Sequence, residues 1–256
     1  MTPWPTSADE LIDAQRALAA TVAARGGAVA TDTRPTRAPH SQPAAPHPQP
    51  AAPRPQPAAP HPQPAIGACV VVFPRGLTGA GVRGDPAWAA AAVLRRGHVL
   101  AQATVTGEAA GPYIPGLLAL REGPCLEAAV RALSVTPDVL LVDATGADHP
   151  RGAGLALQLG AVTGLATVGV THRPLLAQGA WPPEERGARS PLSLDGACVG
   201  AWVRTRAGAR PVAVHAGWRT TLDVAIEVVL SCTLAHRTPE PLRHARRLAR
   251  LARANR

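Results

Sequence analysis

The chain has 256 residues, 46% of them apolar, enough for a sizeable core once the proline-rich residues 34–65 are set aside. All 26 of its cations are arginine; set against 17 acids they give a formal charge of +9, which favours polyanionic partners, nucleic acid first. No apolar run reaches the ~18 residues that span a membrane. The N-terminus "MTPWPTSADELIDAQ" lacks a secretory pattern, and Cys69, Cys125, Cys198 and Cys232 show no CxxC spacing, so a cytoplasmic protein with reduced thiols is expected.

In chain order, residues 7–25 predict a helix: Ser7 caps, Glu10 follows three residues later, and Leu11, Leu18 and Val22 share a face. Four heptapeptides, from "PHSQPAA" to "PHPQPAI", then run from Pro39 to Ile66. Proline at alternate positions forbids helix and favours an extended, semi-rigid, solvated linker. Its recurrent His40, His47 and His61 fit low-complexity drift better than metal binding. "GACVVVF" (Gly67 to Phe73) reads as a strand buried on both faces, and Cys69 near its start is either a packed thiol or part of a site. Residues 88–105 predict two strands turning at Arg96-Gly97. Helices are expected at 122–133, 152–162, 220–233 and 241–253, and strands at 139–143 and 166–171. A hairpin over 197–204 and 210–215 turns at Ala207-Gly208. Early strands in a meander, followed by strands alternating with helices, predict a mixed α/β sheet covered on both faces.

With so few acids, their placement is informative. Asp143 in "PDVLLVDATG" ends a buried strand, where α/β sheets bind ligands, although capping the next loop would use the same residue. Glu122 follows an apolar stretch. Asp223 stands in the first turn of a helix, where it would also complement the dipole, and Glu227 one turn later reads as solvent-exposed. Carboxylates gathered by a sheet can hold Mg²⁺, which takes oxygen ligands. "GPYIPG" (Gly111 to Gly116) sets the only tyrosine between two prolines. That is a stiff loop, either a packed crossover or a wedge for a nucleic-acid stack. The arginine-rich run from Leu242 to Arg256 is either a solvated helix or a phosphate-contacting one.

Taken together, "PYIPGLLALRE", "PDVLLVDATGADHPRGAGLALQLG", "ATVGVTHRPL" and "GWRTTLDVA", with the opening helix "ELIDAQRALAATV", resemble the motifs of the endonuclease V family in order and spacing. The resemblance implies a ribonuclease H-like mixed β-sheet flanked by helices on both faces. It implies residues 1–33 as the first helix of a nuclease domain, 34–65 as an inserted linker, and 66–256 as the remainder with a basic C-terminal helix. It further implies Mg²⁺ (or Mn²⁺), DNA or RNA containing deaminated bases as partner, cleavage 3′ of inosine in DNA repair, no membrane association and a monomer. Asp143 and Glu122 would be metal-binding carboxylates, Asp223 a further catalytic one, with His149 and His172 near the scissile phosphate. Tyr113, flanked by Pro112, Ile114 and Pro115, would be the strand-separating wedge. Gly116 and Gly146 would let the backbone close around the flipped base, and Arg151 would bind nucleic acid.

Four positions depart from the family pattern. Cys69 stands where the resemblance implies a metal-binding aspartate, and a thiol is a poor Mg²⁺ ligand. His172 stands for a lysine, "DATG" for a "DGHG"-like run, and Trp218 for a histidine. These departures keep open a family member that binds deaminated or distorted nucleic acid without cutting it. An unrelated structural or small-molecule-binding α/β protein is the third alternative.

Overall fold

The computed structural model describes residues 4–27 and 63–255. All of the proline-rich tract except residues 63–65 lies outside these, as do His40, His47 and His61, so the expected linker is not part of the described fold. The first helix, α1 (Ala8–Gly27), starts where the capping pattern places it. The Ser7 hydroxyl accepts from the Glu10 amide (3.2 Å), and the Glu10 carboxylate accepts from the Thr6 amide (2.8 Å) and hydroxyl (3.0 Å). These bonds, the Thr6 amide's first, hold the Glu10 carboxyl below its ordinary pKa.

The strands are β1 (Ile66–Val72), β2 (Pro86–Arg95), β3 (His98–Glu108), β4 (Val139–Val142), β5 (Thr167–Thr171), β6 (Arg189–Leu194), β7 (Ala197–Val203) and β8 (Val212–Ala216). They form one sheet in the order β3-β2-β1-β4-β5-β8-β7-β6. β1, β4 and β5 run parallel at its centre, and the flanking pairs are antiparallel. The β2–β3 turn falls at Arg96-Gly97 as expected, with positive φ at both residues (51° and 80°), which suits the twist of a two-residue hairpin. Asp195-Gly196 repeats that geometry between β6 and β7, a hairpin the sequence reading passed over.

The remaining helices are α2 (Leu118–Arg131), α3 (Leu155–Thr163), α4 (Leu222–Ser231) and α5 (Glu240–Ala254). Two cores lie on opposite faces of the sheet, because successive strand residues point to opposite sides. Leu11 of α1, Leu120 and Leu126 of α2 and Leu159 of α3 pack with Cys69, Leu140 and Val142 on one face. Ile226 and Val229 of α4 and Leu242 and Ala245 of α5 pack with Val70, Leu141, Val168 and Val214 on the other. A mixed α/β sheet flanked on both faces is thus the observed architecture. α2 begins four residues before its expected start at Glu122, and Pro124 lies inside it, where one main-chain hydrogen bond is forgone. Among the described residues no helix is long and apolar enough to cross a membrane, and the four cysteines are free thiols.

Candidate functional site

β1 and β4 pair with Cys69 opposite Val142, so the residue after Val142, Asp143, emerges just past Cys69 at the carboxyl end of the central strands. α2 crosses the same face and turns Glu122 toward both. The electrostatics record the meeting. Burial pushes the Cys69 thiol far above its ordinary pKa, and the charges of Glu122 and Asp143 push it further. Burial first, then Asp143, raises the Glu122 carboxyl to about 8, against the lowering pull of Arg121. With no cation bound, Cys69 is therefore a neutral thiol, and Glu122 holds its proton far more tightly than an ordinary carboxyl.

Asp143 already has a cation. Arg246 of α5 donates from Nη2 to its Oδ2 at 2.5 Å, with the arginine 22% and the aspartate 43% exposed. His172, just past β5, stands beside this pair, with Nε2 3.0 Å from the Thr238 hydroxyl. Burial lowers its pKa first and Arg237 second; Asp143 opposes and Arg246 adds to the effect. A hard dication needs six or more oxygen donors, some supplied by water. Here the protein offers a thiol, which is a poor Mg²⁺ ligand, and the carboxyl groups of Glu122 and Asp143, the second held by the Arg246 guanidinium. Among the described residues no three His, Cys, Asp or Glu side chains are placed to hold a metal ion. Of these donors the Cys69 thiol is the one that does not fit the Mg²⁺ that the resemblance implies.

Beside Asp143 opens a cavity of about 170 Å³, walled by Tyr113 and Gly116 on one side and by Arg173, Pro174 and Leu175 on the other. Tyr113 is 47% exposed and Ile114 37%, so the loop presents its apolar groups to solvent, as a wedge requires. Its foot is fixed. The Gly116 carbonyl accepts from His149 Nε2 (2.9 Å), Arg151 Nη2 (2.7 Å) and Gln15 Nε2 (3.1 Å). Arg151 Nε also donates to Gln15 Oε1 (2.5 Å), and the Arg151 amide donates to His149 Nδ1 (3.2 Å). His149 therefore carries its proton on Nε2, and burial, its largest influence, keeps its pKa low. His149, expected near a phosphate, and Arg151, expected to bind nucleic acid, both take part in this clasp. Gly116 adopts φ +76°, a conformation that favours glycine, at the centre of the clasp.

At Gly146 a Cβ would sit 2.3 Å from the Ala216 carbonyl oxygen, so glycine lets the β4 turn approach β8. The sequence reading missed Asp148. Fully buried, its carboxylate accepts from the amides of Leu175 (2.6 Å), Leu176 (2.8 Å) and Ala177 (2.8 Å), pinning the far wall of the cavity. A short polar residue next to the conspicuous His149 was its only signal. Gln15, buried on the apolar face of α1, was the other omission, and its place on the Leu11–Leu18 face was visible.

Asp223 and Trp218 are not brought to this cluster. β8 runs antiparallel to β5, with Ala216 opposite Val168, so the chain after β8 lies at the amino end of β5. Trp218 donates its amide to the Thr167 hydroxyl there (2.8 Å), about 16 Å of strand away from His172. Asp223 is 81% exposed and pairs with Arg189 at 3.1 Å. Its first-turn position answers to the helix dipole, so the expected catalytic role has no geometric support.

Comparison with known proteins bears on the whole arrangement. The sequence pattern of the Endonuclease V family matches residues 77–247. Endonuclease V of Roseiflexus castenholzii is 41% identical over 172 residues, 66% of this chain and 78% of that protein. That of Streptomyces coelicolor is 44% identical over 170 residues, 66% of this chain and 73% of that one. The crystal structure of endonuclease V from Streptomyces avermitilis superimposes with a TM-score of 0.75 at 33% identity, covering 98% of this chain and 95% of that one.

Proposed function

The chain belongs to the endonuclease V family of nucleic-acid nucleases, and from that premise we propose that it recognises strands carrying a deaminated purine such as inosine, with strand cleavage strongly attenuated. The observation that carries this reading is the exposed Tyr113 loop, seated on the three-donor clasp at Gly116 and opening onto the cavity beside Asp143. Pro112 and Pro115 stiffen the loop, so Tyr113, with the exposed Ile114 beside it, holds the gap left by an extruded base. Stacking on an aromatic ring contributes about 1–3 kcal/mol per base. The extruded base enters the cavity, whose walls Gly116 and the Asp148-pinned loop hold at fixed separation.

Attenuation follows from the chemistry at Cys69. An aspartate is what the family pattern implies there, and the buried thiol supplies no negative charge. Arg246 then balances the remaining carboxylate, Asp143. With Arg246 and the partly exposed His172 at the mouth, the site suits holding a phosphate more than activating water against one. Fluorescence anisotropy with EDTA present tests the recognition. An inosine-containing strand should bind roughly tenfold more tightly than its adenosine counterpart, a difference of about 1.4 kcal/mol. Equal affinity for the two strands would sink the proposal.

A second reading, full metal-dependent hydrolysis 3′ of the lesion in DNA repair, has one observation in its favour: Glu122 and Asp143 still face each other. The two readings part on nicking in Mg²⁺ or Mn²⁺. The unrelated α/β alternative has no standing beside the family match.

A further inference from the structure

The sequence reading left the arginine-rich C-terminal run between solvated helix and phosphate contact. α5 buries its apolar face, Leu242, Ala245 and Ala249, against the sheet. Its other face lines a groove of about 520 Å³ whose cations are Arg75, Arg243, Arg246, Arg247 and Arg250; no acidic residue lines it, although Arg243 pairs with Glu240 on the same helix at 3.0 Å. Among the described residues neither a hydrogen bond nor an ion pair engages Arg75, Arg247 or Arg250, and all three are exposed. Arg246 is different: it reaches from the same groove to Asp143. The groove and the candidate site are thus joined by one side chain.

Arg75, Arg247 and Arg250, gathered with no ion pair of their own among the described residues, repel one another, and a fold has no stability reason to assemble them. On α5 the arginines recur one helical turn apart, about 5.4 Å, along a line that leads to Asp143. From this we infer that the α5 groove is the track for the sugar–phosphate backbone of the strand whose base occupies the cavity. The groove reads charge and not sequence. The inference rests on the proposed recognition of a nucleic-acid strand and adds its path. An anionic membrane surface is the competing polyanion. It is disfavoured because the apolar face of α5, which a membrane would have to receive, is already buried in the core.

The test is the salt dependence of binding. The full chain and its Arg247→Gln/Arg250→Gln variant are titrated against inosine- and adenosine-containing single strands across a range of salt. Both substitutions are at exposed positions, and thermal melting checks that each variant is folded. Losing two phosphate contacts should reduce the slope of log K against log salt by about 1.4, since each contact on a single strand contributes about 0.7. The inosine-to-adenosine affinity ratio should stay constant. Arg16→Gln, on the opposite face of the sheet, should leave the slope unchanged. An unchanged slope in the α5 variant overturns the inference. So does a variant that loses binding to phosphatidylserine vesicles while keeping the parental slope on strands. A parent with no inosine preference whose slope still falls in the variant would remove the proposed lesion recognition and leave the track standing.

Discussion

At Cys69 a side chain of modest size decides the charge of the whole carboxyl end of the sheet. Replacing it with aspartate would bury a third carboxyl beside Glu122 and Asp143. Without metal, Cys69→Asp should lower stability by about 3 kcal/mol at neutral pH in urea unfolding, as an uncompensated buried charge does. Mn²⁺ should restore much of that loss, and should stabilise the parent far less. Where cutting is assayed, Cys69→Asp should gain about 100-fold or more in rate, since a metal-held charge contributes several kcal/mol and each 1.36 kcal/mol is tenfold. Glu122 supplies a pH signature with a defined sign. Its carboxyl is raised to about 8 in the folded chain, against an ordinary 4.5. Between those values the folded state holds the proton that the unfolded state gives up. Stability from this group is therefore complete below about pH 4.5 and is lost as pH rises toward 8, by at most about 1.4 kcal/mol per pH unit. Glu122→Gln should flatten that slope in urea unfolding measured from pH 5 to 8, and an unaltered slope would contradict the burial of its carboxyl.

The elements divide the labour between holding and presenting. Tyr113 projects from a loop whose foot is tied to α1 through Gln15 and to the β4–α3 connection through His149 and Arg151. Tyr113→Ala, at an exposed position, should leave stability within about 0.5 kcal/mol and weaken binding of an inosine strand about 5- to 150-fold, the equivalent of 1–3 kcal/mol of stacking. Gln15→Ala should do the reverse. It removes a buried donor and acceptor, lowering stability by about 1–3 kcal/mol, and weakens binding only by loosening the loop. Comparing Tm and Kd for the two variants separates the roles. Asp143 could be placed from sequence because a buried strand ends there, and the Tyr113 loop because proline constrains it. The clasp could not, because its three donors come from α1 and from residues 33 and 35 positions beyond Gly116, and no local pattern links them. Likewise β6 escaped notice because Pro191 and two serines blur its alternation, although Asp195-Gly196 was a sound hairpin signal. Pro191 is tolerated because β6 is an edge strand.

Across the whole molecule, three parallel strands at the centre of an eight-stranded sheet carry the candidate site at one end, while α5 supplies a cationic flank from the opposite face. Continuous apolar runs at 68–73 and 139–142 made the central strands readable, because a strand covered on both sides has no polar face to confuse its period. What could not be read was which ends of the strands converge. Trp218 and Asp223 fell in with the site by motif, and the antiparallel entry of β8 carries them to the other end. Of the four departures from the family pattern, Cys69 and His172 lie close to Asp143, "DATG" shapes a turn, and Trp218 packs at the other end of the strands. The most direct measurement mixes an excess of the full chain with an inosine-containing strand in Mn²⁺ and scores bound and nicked strand in the same sample. Recognition with attenuated cutting predicts that nearly all the strand is bound and remains intact over many minutes. Nicking of most of the bound strand within seconds would contradict it.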